Sequence, residues 1–220
     1  MDGIQDSVVQ ELQEFRSCRM VAQHRSGPPD SELLTPATPE LLFFTLMKCY
    51  EVFGKLSPEL TNEIFAYLLE FEKPVYKAMV QNIASRRKLR PVFIERKPKQ
   101  ERHLWLHQAL SLKSADDLTM QLLQIWLLGA QREMICEFLD SLGIEHDGKG
   151  VVDNLPAAPS RDRLDQTISK LLEKRSPEAV ALYLHAFQAM DETGWSILDE
   201  ALATDPRISL PLKSIEPKHS

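Results

Sequence analysis

The chain has 220 residues, of which 43% are hydrophobic and 26% are charged, and its 26 basic and 32 acidic side chains give a net charge of −6. This composition is typical of a globular protein with enough apolar side chains for a sizeable core. The negative charge argues against general affinity for nucleic acid or for an anionic membrane, because both attract proteins of positive potential. Glycine is scarce, with eight residues against fourteen prolines, which favours helices.

The N-terminal region predicts an amphipathic helix that stands apart from the rest of the chain. Between about residues 3 and 24 an apolar side chain recurs at helical spacing, at Ile4, Val8, Leu12 and Phe15. The Pro-rich segment that follows predicts a linker at 26–38. We expect this helix, at 1–25, to dock on the body of the protein, to dock on a partner or to form a homo-oligomer.

A helix-start signal recurs about every sixty residues in the remainder of the chain. Each signal combines a serine with an acidic first turn and follows a proline by 16 to 18 positions. The three signals are Ser57-Pro58-Glu59, Ser114-Ala115-Asp116 and Ser176-Pro177-Glu178, and the prolines are Pro39, Pro98 and Pro159. The pattern predicts a helical repeat domain at 39–207, with units at about 36–91, 91–147 and 150–207, and a flexible tail at 208–220.

Cap and turn residues predict three helices in each unit. In the first unit they begin at Pro39, Ser57 and Lys73, in the second at Pro98, Ser114 and Gln131, and in the third at about 160, 176 and 193. The only strand candidates are the apolar piece Val92–Ile94 and a small hairpin around Asp147-Gly148. The predicted fold is therefore all-α, with about ten helices arranged as an α-solenoid-like stack or an irregular bundle.

Cysteine usage and the absence of targeting signals predict a cytoplasmic protein. Cys18, Cys49 and Cys136 lie far apart in apolar helical contexts, which is typical of buried free thiols in a reducing compartment. The acidic N-terminus lacks the basic start and continuous apolar run of a signal peptide. No apolar stretch approaches the roughly 18 residues of a membrane span, so we expect no membrane partner.

The strongest charge feature lies at 86–102, which carries eight basic and two acidic side chains, a net +6, whereas the rest of the chain sums to −12. The basic residues are Arg86, Arg87, Lys88, Arg90, Arg96, Lys97, Lys99 and Arg102. Such a strip can bind an acidic partner, dock within the molecule or bind nucleic acid, with Phe93 and Trp105 stacking on bases. The simpler interpretation is a solvated helix end, where cations complement the helix dipole.

Candidate catalytic chemistry is sparse. His103 and His107 have the i, i+4 spacing of metal ligands, but the residues between them lack the glutamate of an HExxH motif, and half-buried or surface histidines are the simpler interpretation. His146 and Asp147 fit a tight turn better than a calcium loop. No cofactor or metal is predicted, although catalytic groups can converge from distant segments.

The sequence therefore favours a non-enzymatic helical-repeat protein that mediates protein–protein interaction or scaffolding, with the basic strip directing it to acidic partners. The first alternative is a nucleic-acid-associated protein that uses the same strip. The second is a metal-dependent or small-molecule-dependent enzyme built around the histidines.

Overall fold

The computed structural model describes residues 47–152, 156–190 and 194–210. Within these ranges the chain forms ten α-helices, one short 3-10 turn at Lys113–Ala115 and no β-strand, which confirms the all-α prediction. The helices are α1 (Cys49–Gly54), α2 (Pro58–Phe71), α3 (Lys73–Arg86), α4 (Pro91–Glu95), α5 (Lys99–Leu110), α6 (Asp116–Ala130), α7 (Arg132–Leu142), α8 (Arg161–Lys174), α9 (Pro177–Met190) and α10 (Ser196–Thr204). The predicted N-terminal helix and linker lie outside the described residues, as does the tail from 211.

Local capping chemistry sets several of these boundaries. The Ser57 hydroxyl oxygen accepts a hydrogen bond from the Leu60 N–H at 3.1 Å, and the Ser160 hydroxyl oxygen accepts one from the Arg163 N–H at 3.4 Å. At the other end of a helix, Gly143 has a φ of 67° and ends α7 in the left-handed conformation. These ends follow from single residues, because each cap satisfies backbone groups that the helix leaves unpaired.

The start of α6 differs from the prediction that Ser114 caps it. Ser114 lies within the 3-10 turn, and the helix opens at Asp116 without a side-chain cap from Ala115. The buried Thr119 hydroxyl donates to the carbonyls of Leu110 and Ala115, at 2.8 and 3.0 Å. These bonds hold the 3-10 turn against the end of α5, and α6 begins after Ser114.

Two further elements differ from the sequence prediction. Of the helix expected from Pro39, residues 39–46 lie outside the described residues, Met47 and Lys48 are not helical, and α1 begins at Cys49, where the Glu51 carboxylate accepts the Lys48 N–H at 2.8 Å. The apolar piece expected as a possible strand forms α4 instead. Pro91 supplies the first residue of that helix, and its fixed φ favours a helical start.

Helix α9 is the centre of the bundle. Every residue from Ala179 to Gln188 is buried, and the helix contacts α1, α6, α8 and α10. A helix that is buried on all sides belongs to the interior of a core rather than to its surface. The first helix, α1, likewise contacts α5, α6 and α9.

The contacts of α9 join the third predicted unit directly to the first. In a linear solenoid each unit contacts only its neighbours in sequence. The described helices thus form an irregular bundle, and the repeat arrangement stays a prediction. The packed core also reaches beyond the predicted boundary at 207, because Ile208 and Leu210 are buried. None of the helices in the described ranges is long and apolar enough to cross a bilayer.

Candidate interaction surface

The basic strip folds as the end of α3, all of α4 and the beginning of α5. Helix α3 closes with two backbone hydrogen bonds, from the Lys88 N–H to Ser85 at 3.0 Å and from the Leu89 N–H to Ala84 at 2.8 Å. This pair defines a Schellman motif, in which the residue at the position of Lys88 is usually glycine. Lys88 has a φ of 53°, so a lysine adopts the left-handed conformation here.

One side of helix α4 packs against the rest of the protein, and the other side is exposed to solvent. Ile94 is buried, and the Arg102 guanidinium donates to the Glu95 carbonyl at 3.1 Å. On the open side, Phe93 is 62% exposed and Val92 is 38% exposed. A single turn of helix therefore presents an aromatic ring to solvent from an anchored backbone.

Four of the eight basic side chains in the strip have partners within the protein. Arg86 donates to the Ser114 carbonyl, and Lys97 forms an ion pair with Glu101. The Arg87 guanidinium lies 4.7 Å from the centroid of the Trp105 ring, a cation–π contact. Arg86 and Arg87 thus join the strip to residues beyond it, whereas the contacts of Lys97 and Arg102 lie within the strip.

The other four basic side chains are exposed and have no carboxylate partner among the described residues. They are Lys88, Arg90, Arg96 and Lys99. Three exposed apolar side chains, Leu89, Val92 and Phe93, lie between them in the sequence. We call these seven residues together the α4 surface. It combines uncompensated positive charge with apolar area, and it is the part of the basic strip that remains available for binding.

The two candidate metal-ligating histidines are buried and bonded within the core. His103 Nδ1 lies 2.7 Å from Asn62 Oδ1, and His107 Nε2 lies 2.9 Å from the Phe53 carbonyl oxygen. Burial, with Arg102 and Lys99 nearby, lowers the pKa of His103 to about 4. The part of the chain that the structure describes contains no group of three or more histidine, cysteine or acidic residues able to hold a metal ion. The structure thus lends no support to a metal centre at these histidines.

The loop after α7 is a tight turn rather than a hairpin. The Asp147 carboxylate accepts the Lys149 and Val151 N–H groups at 2.7 and 3.0 Å, and these bonds hold the pKa of that carboxyl below its usual range. His146 Nε2 lies 3.2 Å from Asp140 Oδ1, and its Nδ1 accepts the Gly148 N–H at 3.1 Å. The His146 ring and the Asp147 carboxylate thus both have structural partners.

The described cysteines are poor nucleophiles. Cys49 is buried, and burial, together with the Asp116 carboxylate, raises the pKa of its thiol to about 12. Burial also raises the pKa of the partly buried Cys136. Because the thiolate is the reactive form, the raised pKa makes both thiols less nucleophilic near neutral pH. Cys18 lies outside the described residues.

A small cavity of about 10 Å³, comparable with the space of a single water molecule, lies between α6, α7 and α9. Its wall is mainly apolar, with side chains such as Leu127, Leu128 and Ile135, and it includes the buried Tyr183, whose hydroxyl has no partner among the described residues. Ligand pockets typically measure roughly 300–1,000 Å³ and converge several polar groups. This cavity offers no pair of a nucleophile and a base among its lining residues.

Sequence reasoning identified the charged side chains of the strip but not the apolar part of the α4 surface beyond Phe93. Val92 belongs to the apolar piece expected as a possible strand, and Leu89 lies alone between two basic residues. The available signal was Arg90-Pro91, since a proline that starts a one-turn helix leaves only one side of that turn for the core. Trp105 is half-buried beneath Arg87, and Trp126 and Trp195 are buried, so the tryptophans belong mainly to the packing of the bundle.

Comparisons of the chain with known protein families, with curated proteins and with solved structures gave no match. The α4 surface must therefore be interpreted from its own chemistry.

Proposed function

We propose that this protein is a non-enzymatic interaction or scaffold protein that binds an acidic protein partner through the α4 surface. The observation that carries the proposal is that Lys88, Arg90, Arg96 and Lys99 are exposed and lack carboxylate partners within the described residues. A solvated helix end accounts for cations near the α3 terminus, but it does not account for the exposed apolar side chains between them.

The combination of charge and apolar area suits protein recognition. Apolar and aromatic side chains supply most of the affinity of an interface when they are desolvated, whereas charges at the rim set orientation and partner choice. Phe93 on the anchored α4 helix is the exposed aromatic residue of this surface. Its backbone is already held by Ile94, so binding orders little additional chain.

The distribution of charge makes the proposed binding directional. The strip carries +6, and the rest of the chain sums to −12. An acidic partner is therefore repelled by most of the molecule and attracted to one region. Such repulsion elsewhere contributes to specificity as much as the attraction at the site does.

Affinity capture from the source organism, followed by titration with the purified partner, tests the proposal. The test variant is K88E/R90E/R96E/K99E, and the matched control is K77E/K113E/K149E/K170E, which makes the same charge change at exposed lysines outside the surface. We expect the test variant alone to lose an acidic partner, and the wild-type affinity to fall as salt rises. Equal retention of the partner by both variants contradicts the proposal, as does selective capture of nucleic acid. Circular dichroism confirms that both variants are folded.

A further inference from the structure

We infer that the α4 surface recognises a short acidic segment of a partner in which one large apolar side chain lies between carboxylates, and that this side chain packs against Phe93. The inference rests on the proposed function and specifies the chemistry of the partner.

The apolar requirement follows from the exposure of three side chains within five positions. Phe93 is 62% exposed, Leu89 is 42% exposed and Val92 is 38% exposed. Ile94, the next residue, is 1% exposed, so α4 divides sharply into a buried side and an open side. Contiguous exposed apolar area on a small domain commonly marks a binding site, and aromatic residues within such areas often dominate binding energy.

The carboxylate requirement follows from the order of the residues along the chain. Lys88 and Arg90 precede the exposed part of α4, and Arg96 and Lys99 follow it. Arg90 is the N-cap of α4 and Arg96 is its C-cap, so a ligand whose apolar side chain lies over Phe93 has a cation at each end of the helix. Carboxylates on both flanks of that side chain pair with the cations at both ends of α4. A ligand that carries negative charge on one flank alone leaves the cations at the other end of α4 without a partner.

The size of the surface limits the length of the ligand. Helix α4 has five residues and rises about 1.5 Å per residue, or roughly 7 Å in all. An extended peptide advances about 3.3 Å per residue, so a segment of roughly four to six residues spans α4 and reaches the flanking cations.

Charge complementarity favours a narrow segment over a membrane or a duplex. The exposed Glu95 and Glu101 lie within the strip itself, and the chain outside the strip sums to −12. Charges interact appreciably within about 8 Å at physiological ionic strength. A flat anionic bilayer or a long nucleic acid brings negative charge close to the acidic surface beyond the strip, whereas a short peptide that spans α4 avoids that wider surface, although it passes the exposed Glu95.

Fluorescence anisotropy with two labelled synthetic peptides tests the inference. One peptide has the core Glu-Glu-Leu-Glu-Glu, and the other replaces the central leucine with alanine. The variants are Phe93→Ser and the matched control Phe71→Ser, because Phe71 is equally exposed, at 63%, but lies at the end of α2 outside the α4 surface. We expect the full-length protein to bind the leucine peptide about tenfold more tightly than the alanine peptide. Phe93→Ser removes this difference, and Phe71→Ser retains it.

The outcomes separate this inference from the proposed function. If both peptides bind equally and the K88E/R90E/R96E/K99E variant binds neither, the apolar requirement is wrong although the acidic preference stands. If neither peptide binds at low salt, the inference is wrong, and the capture experiment decides the proposed function independently. Tighter, Phe93-dependent binding to phosphatidylserine vesicles or to a single-stranded oligonucleotide also overturns it.

Discussion

Glu178 accepts two hydrogen bonds from Ser57, which precedes it by 121 residues: one from the backbone N–H to Oε1 and one from the hydroxyl to Oε2, both at 2.6 Å. The same hydroxyl oxygen accepts the Leu60 N–H. Glu178 lies in the first turn of α9, and Ser57 is the N-cap of α2. One carboxylate thus lies near the positive ends of two helices, where negative charge is favoured.

A second carboxylate has the same role at α1. Asp116, in the first turn of α6, accepts the Tyr50 N–H near the start of α1 at 3.0 Å. Two of the three start signals found in the sequence therefore supply carboxylates to helices of the first unit. These carboxylates accept hydrogen bonds from residues far away in the sequence, and not only from backbone groups of their own helix turns.

We expect Glu178→Ala to lower the free energy of unfolding by about 2–3 kcal/mol, because both bonds involve a charged acceptor. Glu59 holds the equivalent place in the first start signal but is exposed, so Glu59→Ala provides a matched control with an expected loss of only about 0.5 kcal/mol from the helix dipole. Urea unfolding measures both changes. Equal losses in the two variants would show that the contact with Ser57 contributes nothing beyond the dipole.

Lys88→Gly is expected to stabilise the protein by about 1 kcal/mol, because glycine adopts a positive φ without the penalty imposed by a side chain. Lys88→Ala removes the same charge but keeps the cost of a positive φ. The difference in stability between the two variants therefore isolates the backbone effect. Equilibrium unfolding of the two variants, compared with the wild type, measures the difference. The prediction fails if glycine and alanine give the same stability.

Two buried histidines predict loss of stability in mild acid. Burial holds the pKa of His185 at about 4, with a smaller opposing effect from a hydrogen bond involving the Ile208 backbone, and His103 has a similar value. The ordinary value is 6.5, so the unfolded chain takes up protons first as the pH falls, and protonation favours unfolding. The stabilisation is complete above about pH 6.5 and is lost as the pH falls towards 4.

Between pH 7 and pH 5 this effect amounts to about 2 kcal/mol for each histidine. We expect His185→Gln to unfold in urea with a correspondingly weaker dependence on pH than the wild type. An unchanged dependence would mean that His185 is already protonated in the folded protein at pH 5.

Gly129 lies among apolar side chains of α6, at a position where the Tyr67 side chain leaves no room for a Cβ atom. A Cβ atom at this position would lie 1.9 Å from the Tyr67 hydroxyl oxygen and 2.7 Å from the ring carbon that bears it. Alanine normally improves an exposed helix by about 1 kcal/mol over glycine. We expect Gly129→Ala to destabilise the wild type but to stabilise a Tyr67→Ala background, as measured by a double-mutant cycle of melting curves. Additive effects of the two substitutions would contradict this account.

Sequence reasoning succeeded where structure depends on one or two neighbouring residues. Ser57 acts through a bond to a backbone group three positions away, so its role as a helix start is visible in the sequence. It failed at Ser114, because the Thr119 hydroxyl draws the preceding turn towards Leu110. An apolar run as short as the one after Pro91 also cannot distinguish a strand from a helical turn.

The candidate site was predictable in its charge but not in its availability. The eight basic residues of the strip are visible in the sequence. The sequence does not show which of their side chains are bound to distant groups of the same protein. Arg86 reaches a carbonyl 28 positions away, and Arg87 covers Trp105 on another helix. Contacts of this kind follow from how α3 and α5 pack, which no local pattern specifies.

The burial of α9 also governs the order of events during synthesis. The first eight described helices leave the ribosome before α9, the helix against which α1 and α6 pack. Until α9 is synthesised, the apolar faces that pack against it and the backbone N–H of Ser57 stay exposed. Chaperones bind exposed surfaces of this kind. A solenoid can gain or lose a terminal unit and keep its fold, but here α9 must be synthesised before α1 and α6 can bury the faces that pack against it.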